Sequence, residues 1–381
     1  MVKRGFWLKK IEAGLKRRSI LWLSGVRRTG KTFLCKSIED AVYFDMDLPG
    51  HRSVVDGVES FLAGMKGRTV VIDEIHRLGN PSELLKVAAD HFPEVKVIAT
   101  GSSSLGASRK FRDTLTGRKT EILLTPMLCR DLDDFGNTGL AHRFLRGGLP
   151  PMFMAEAPPK EEFQEWFDSF WAKDIAELFR LESKYSFTKF AELLMAQSGS
   201  IFEATRFARP CEVNRSTISN YLGVLEATFI VSIIRPFSTH RPTEITSAPK
   251  VYGFDTGFVC FFKGIDALRA DDMGLMWEHF VLNELCGNLQ TRKINYYRDK
   301  QGHEVDFVIA RAGRPPIAIE CKWSADNADL KNLKHFRKHY PEGENYIVCS
   351  DVKRSFTRIY DGLTVNFVGL PDLIAGLSAG D

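Results

Sequence analysis

Residues Gly25, Val26, Arg27, Arg28, Thr29, Gly30, Lys31 and Thr32 fit the spacing G-x-x-x-x-G-K-[ST], the pattern that most narrows what this chain can fold into. Such a loop works only between a buried strand and the start of a helix. Residues 19–24, S-I-L-W-L-S, read as that strand, and residues 31–38 as that helix. Glycines let the backbone wrap so that successive N–H groups face a phosphate chain. The helix start adds unpaired donors and its dipole. Lys31 is expected to reach the β- and γ-phosphates, and the Thr32 hydroxyl to hold Mg2+.

A second run extends the same chemistry. Residues 68–73, R-T-V-V-I-D, look like a parallel strand buried on both faces and ending in a carboxylate, with Glu74 directly after it. Ligands bind at the carboxyl ends of such strands. Asp73 is therefore expected beside Thr32 on the Mg2+, and Glu74 is expected to orient and deprotonate an attacking water. Phosphoryl transfer asks the protein chiefly for positioning and charge stabilisation. Residues 95–101 read as a further strand, followed by Ser102, Ser103 and Ser104. Ser102 is the expected contact to the γ-phosphate or the water.

Together G-V-R-R-T-G-K-T, V-V-I-D-E-I-H, A-T-G-S-S-S, T-G-R-K at 116–119 and R-G-G-L-P at 146–150 resemble the AAA+ branch of P-loop ATPases. More narrowly, they are similar to the prokaryotic AAA-type ATPases that carry a C-terminal nuclease-like domain, and the likeness runs over nearly the whole chain. The resemblance implies an α/β fold with an N-terminal doubly wound ATPase core. ATP and Mg2+ are its implied cofactors, and a ring or partial ring its implied assembly. It also implies an arginine that reaches a neighbour's γ-phosphate. Arg118 best matches that position, with Arg112 the alternative.

A chain of 381 residues is too long for one ordinary core, so two or three domains are expected. A net charge of +4 gives no global argument for nucleic acid. The N-terminus is locally basic through Lys3, Arg4, Lys9, Lys10, Lys16, Arg17 and Arg18, which reads as a solvated helix face or a phosphate contact. Seven scattered cysteines without a C-x-x-C pair suggest neither a zinc site nor a disulfide framework, and fit a reducing cytoplasm. No apolar run approaches the ~20 residues that span a bilayer, and no cleavable signal is read.

The Pro-rich stretch 149–160 marks the clearest boundary, giving an ATPase domain over 1–150. Beyond it Phe163, Trp166, Phe167, Phe170, Trp171 and Ile175 recur at helical spacing and read as core. Helices are expected at 187–198 and 201–208. A third follows Pro210, capped by Asn214 or Ser216, with Ile218, Tyr221, Leu222 and Leu225 on one face. Two β-type runs, 229–236 and 250–254, complete the order of a winged helix-turn-helix over 151–255. Arg215, Ser216, Thr217, Ser219 and Asn220 would then face DNA, as residues suited to groove and phosphate contacts. The alternative is a protein-contact module.

The last third, 256–381, carries a second acidic set. In the run Ile317-Ala318-Ile319-Glu320-Cys321-Lys322-Trp323, strand alternation puts Glu320 and Lys322 on one side. Residues 296–309 read as two strands around Gly302, with Asp306 on the second, so Asp306 and Glu320 are expected to share one Mg2+. Lys322 is expected to position or activate a water. Glu278 sits on the apolar stripe of a helix, where a carboxylate needs a partner such as a metal, and Glu284 on the same helix is expected in solvent. Glu278, Asp306 and Glu320-x-Lys322 resemble the PD-(D/E)xK nuclease fold, which implies a restriction-endonuclease-like α/β domain and Mg2+-dependent phosphodiester cleavage. The expected function is an ATPase acting on duplex or branched DNA, with a nuclease-like domain that binds it; the sequence leaves open whether that domain also cuts. The alternative is a nucleotide-gated machine that remodels DNA junctions or a protein without cutting.

Overall fold

The computed structural model describes residues 2–102, 115, 117–176, 179, 181, 183–240, 244 and 247–379. Ser103, Ser104 and Arg112 lie outside the described residues. Chain contacts separate two units, Met1–Phe187 with Ser219–Ile230, and Thr188–Ile218 with Val231–Asp381.

The first unit is built on a five-stranded parallel sheet of β1 (Ile20–Ser24), β2 (Ala41–Asp45), β3 (Thr69–Asp73), β4 (Lys96–Gly101) and β5 (Lys119–Leu123). Its order is β2-β3-β4-β1-β5, so β4 separates the strand before the phosphate loop from the strand that ends in Asp73. Strand alternation explains the layers. Leu21 and Leu23 point to one side, packing with Val71, Ile98 and the helix Gly5–Arg17 through Trp7 and Ile11. Ile20 and Trp22 point to the other, packing with Val70, Ile72, Leu84 and Leu85. The interior strand β1 is therefore buried at every position, whereas the edge strand β2 is only half-buried. The basic N-terminus is not uniformly a solvated face. Arg4 is buried against Asp131, while Lys3, Lys9, Lys16, Arg17 and Arg18 are exposed.

Past Pro159, the helix Lys160–Phe170 buries Phe163, Trp166, Phe167 and Phe170, and a wider turn over Trp171–Ile175 buries Asp174 and Ile175. Three helices follow, Lys184–Ala196, Ala204–Ala208 and Arg215–Ala227. The expected helix over 201–208 is shorter, because residues 200–201 form β6 (Ser200–Ile201) against β8 (Lys250–Gly253). Pairing with β8 satisfies backbone groups that a longer helix would have used internally. β8 is also antiparallel to β7 (Val231–Pro236).

In the second unit these strands join β9 (Asn295–Arg298), β10 (Glu304–Ile309), β11 (Ile317–Lys322), β12 (Asn345–Cys349), β13 (Phe356–Tyr360) and β14 (Leu363–Val368). The nine strands form one mixed sheet, ordered β13-β14-β12-β11-β10-β9-β7-β8-β6. β9 and β10 make the hairpin expected around Gly302. The helix Ala270–Leu289 is buried on more than one side, through Met276, Trp277, Phe280, Val281, Leu282 and Leu285. Among the described residues no helix is long and apolar enough to cross a membrane.

Candidate active sites

The phosphate loop begins where β1 ends, and two backbone features fix its path. Gly25 has φ +151°, and a Cβ there would lie 2.3 Å from the Leu124 carbonyl oxygen, so no side chain fits. Gly30 has φ +98° and precedes the helix Lys31–Lys36. The Lys31 ammonium donates to the Gly25 carbonyl at 2.7 Å and to the Val26 carbonyl at 3.1 Å. Burial lowers its pKa, against the pull of Glu74, Asp174 and Asp73. Side chains from elsewhere hold the outside of the loop. Arg4 donates to the Thr29 carbonyl at 2.9 Å, Trp166 to the Arg27 carbonyl at 3.1 Å, and Arg27 pairs with Asp174 at 2.9 Å. Arg28 is exposed.

The expected meeting of loop and strand end is present. Thr32 Oγ1 donates to Asp73 Oδ2 at 2.7 Å, although the two residues lie 41 positions apart. Tyr43 donates to the same oxygen, and Thr100 to Asp73 Oδ1. Glu74 adopts φ +54°, unusual for a residue with a side chain, and its N–H donates to Thr100 Oγ1 at 3.0 Å. Its carboxyl lies 3.3 Å from His76 Nδ1. Burial and the neighbouring Asp73 push the Glu74 pKa up to about 7, with Lys31 pulling the other way. A base poised near neutral pH is what proton removal from water asks for.

The second acidic set lies on β10, β11 and the helix Ala270–Leu289. A register shift between Val305 and Val308 puts Asp306 inside a bulge of β10. Bulges re-aim side chains and break pairing locally. Asp306 Oδ2 accepts from the Cys321 N–H at 2.7 Å. Lys322 Nζ lies 3.2 Å from Glu320 Oε2, so the two do share a side of β11. Glu320 is buried, and its Oε1 has no hydrogen-bond partner among the described residues. Burial and Asp306 raise the Glu320 pKa, while burial and Glu278 push Asp306 up to about 7. Lys322 stays firmly protonated, because Glu320 and Asp306 outweigh the effect of burial. Glu278 is held by Tyr252, whose hydroxyl donates to it at 2.5 Å, and by Lys250 at 3.5 Å; Lys250 also pairs with Glu304.

One expectation on this helix fails. Glu284 is not in solvent but 2 % exposed, with Asn288 Nδ2 donating to its Oε2 at 2.9 Å. The helix packs over a wider arc than a single apolar stripe, so the face carrying Glu284, different from that of Glu278, is also interior.

Comparison with known proteins divides the chain in sequence. Residues 17–132 match an AAA domain profile. That segment holds the phosphate loop, Asp73 and Glu74. It is an AAA-type P-loop ATPase domain. Residues 137–269 match a domain of unknown function (DUF8612), and residues 273–370 a second one (DUF4143). Two uncharacterized proteins, from Mycobacterium bovis and Mycobacterium tuberculosis, are each 27% identical over 327 residues, covering 83% of this chain and 73% of the relative. A Walker-type ATPase of Pyrococcus abyssi aligns with TM-score 0.46 and 14% identity over 69% of this chain and 96% of its own. McrB AAA+ hexamers of Thermococcus gammatolerans with bound McrC align with TM-score 0.24 and 11% identity, over 60% of this chain and 69% of theirs.

Within the AAA-type domain, Ser102 lies just past β4 and is buried, and Thr100 is the hydroxyl of that strand end that touches Asp73. Arg118 immediately precedes β5, at the end of the parallel sheet opposite the phosphate loop, and pairs with Asp90 at 2.7 Å. Sequence reading missed Tyr43 and Thr100. It also missed an apolar cavity of about 340 Å³ beside Gly30, lined by Arg4, Phe33, Phe135, Pro150 and Met154. Phe33 and Met154 are exposed at 63% and 62%. Outside the domain, Asn214 Oδ1 caps the helix Arg215–Ala227 by accepting from Thr217 N–H at 2.8 Å. Arg215, Ser216, Ser219 and Asn220 are exposed there, and Thr217 is half-buried.

Proposed function

We propose that this chain is a Mg2+-dependent ATPase that acts on DNA through the segments 151–255 and 256–381. The observation that carries the reading is the 2.7 Å contact of Thr32 with Asp73, with Glu74 next in sequence. A hydroxyl and a carboxylate paired at the mouth of a phosphate loop are the donor set that Mg2+ takes beside a nucleotide. The metal neutralises phosphate charge when bound. Lys31 would leave its two loop carbonyls to meet the β/γ-phosphates, and the apolar cavity beside Gly30, lined in part by Phe33 and Met154, would take the base. Glu74 takes the proton of the attacking water. Arg118, away from its own phosphate loop, is in this reading the residue that would act on the nucleotide of a neighbouring subunit in a ring or partial ring.

Glu278, Asp306, Glu320 and Lys322 form the nuclease-like centre of this reading. The unpartnered Glu320 Oε1 and the raised Asp306 and Glu320 suit a Mg2+ shared by these two carboxylates, with Lys322 placed to stabilise charge on a phosphodiester. The exposed start of the helix Arg215–Ala227, followed in sequence by the antiparallel pair β7 and β8, supports DNA contact by Arg215, Ser216, Thr217, Ser219 and Asn220 in a winged-helix arrangement.

The test is Mg2+-dependent hydrolysis of ATP and cleavage of single-stranded, duplex and branched DNA. Lys31→Ala abolishes ATP binding. Arg118→Ala lowers turnover by about 10³-fold or more. Asp306→Ala leaves ATPase intact and removes cleavage; if it cuts as well as wild type, the second centre is misassigned. A second reading, remodelling without cleavage, is favoured by the bonds that tie Asp306 to the Cys321 amide and Glu320 to Lys322. DNA binding without cutting on any substrate selects it.

A further inference from the structure

The β9–β10 hairpin and the helix Lys331–His339 bring together three side chains that neither acidic centre uses. Asp299 follows β9, and its Oδ1 accepts from the N–H groups of Gln301 at 2.8 Å and His303 at 2.9 Å. Those bonds fix the carboxylate and leave its other oxygen facing two imidazoles. Asp299 Oδ2 lies 2.8 Å from His303 Nδ1 and 2.7 Å from His335 Nε2. The two rings stack with centroids 3.9 Å apart and planes 11° apart. The three side chains are 16%, 17% and 20% exposed, so the cluster is sheltered but reachable from solvent.

We propose that Asp299, His303 and His335 bind a divalent transition metal of the Zn2+ class. Two imidazole nitrogens and one carboxylate oxygen suit such a metal, whereas Mg2+ and Ca2+ prefer all-oxygen sets. Zn–N and Zn–O bonds of ~2.0–2.1 Å in a tetrahedron put ligand atoms roughly 3.3 Å apart. The three ligand atoms here already lie within 4.8 Å of one another; to admit the ion the two hydrogen bonds open by about half an ångström and the stacked rings turn out of parallel, so that both nitrogen lone pairs converge on it. The amides on Asp299 Oδ1 supply the outer support that metal carboxylates usually have. Three protein ligands leave a coordination position for solvent. The ion then joins the hairpin tip to the helix Lys331–His339, whose Leu333 and Phe336 pack on the same sheet.

The test is titration of the chelator-stripped full chain with Zn2+ by calorimetry, and with Co2+ by visible absorption. Wild type takes up one equivalent at this site. His303→Gln and His335→Gln each lose at least about tenfold in affinity and lose the Co2+ absorption. The Asp306→Asn/Glu320→Gln variant keeps both. Binding unchanged in the two Gln variants, or binding lost only in Asp306→Asn/Glu320→Gln, overturns the assignment. Should a Gln variant fail to fold, histidine modification of wild type decides: Zn2+ must shield His303 and His335 from acylation, and full modification of both in its presence overturns the proposal.

Discussion

Asp73 and Glu320 are both buried carboxylates on strands, each proposed above to take a metal, yet their surroundings are opposite in kind. Asp73 receives hydroxyl donors from three elements: Thr32 after the phosphate loop, Tyr43 on β2 and Thr100 on β4. Glu320 receives one ammonium on one oxygen and, among the described residues, nothing on the other. A carboxylate ringed by neutral donors has its oxygens satisfied without a cation. A carboxylate beside a second acid, with an ammonium on one oxygen and an empty lone pair in the interior on the other, gains further stabilisation from a proton or a metal. The first centre is thus fully hydrogen-bonded without a ligand, whereas the second keeps an oxygen without a partner among the described residues.

The largest expected effect tests the first centre. Glu74→Gln keeps the shape of the side chain and removes its basicity, so ATP turnover falls by about 10³-fold while nucleotide binding persists. Single-turnover kinetics with a filter-binding control separates the two. If turnover survives, proton removal does not run through Glu74. The next effect concerns the hydroxyl ring. Thr100→Val keeps volume, strips Asp73 Oδ1 of a donor and leaves the Glu74 N–H without its acceptor, at a cost of about 1–3 kcal/mol in unfolding free energy. Turnover falls by up to about 10²-fold, because Glu74 loses the bond that fixes its unusual backbone. A Thr100→Val protein as stable and active as wild type would remove the hydroxyl ring from the account.

What the sequence disclosed follows the range over which each feature is determined. The phosphate loop, β1, β3 and the hairpin around Gly302 depend on residues close in sequence, and apolar alternation with glycine placement exposes them. The pairing of Thr32 with Asp73 was also readable, because parallel strands put their carboxyl ends at one edge. Thr100 and Tyr43 were not, since their role depends on β2 and β4 both flanking β3, and no local pattern states that order. Ser102 is conspicuous because polar residues stand out at a strand end, whereas Thr100, inside the strand, gives no local sign of its contact with Asp73. Glu284 misled for a related reason. A helical stripe assumes one buried face, and the helix Ala270–Leu289 is packed on several. The bulge at Asp306 and the partners Lys250 and Tyr252 of Glu278 also needed the folded sheet. The stack of His303 on His335 joins a hairpin to a helix about 30 residues further on, a distance that no motif spacing covers.

The smallest effect tests the second centre through pH. The fold raises Asp306 from an ordinary 3.8 to about 7, so between these values the folded chain holds a proton that the unfolded chain has released. Stability from this group is fully present below about pH 4 and is lost as pH rises through about 7. Asp306→Asn carries no such charge. Its unfolding free energy should therefore change less over that window, and at pH 8 without metal it should exceed wild type by on the order of 1 kcal/mol. Mg2+ at pH 8 should raise the wild-type midpoint and leave that of Asp306→Asn where it was, because an ion that binds only the folded state stabilises it by mass action. Nucleotide-free protein carrying Asp73→Asn keeps the phosphate-loop site from contributing to the Mg2+ response. If wild type and Asp306→Asn then run parallel from pH 4 to 8, Asp306 is already neutralised by Lys322 and Lys250, and the contrast with Asp73 reduces to a difference in hydrogen bonding.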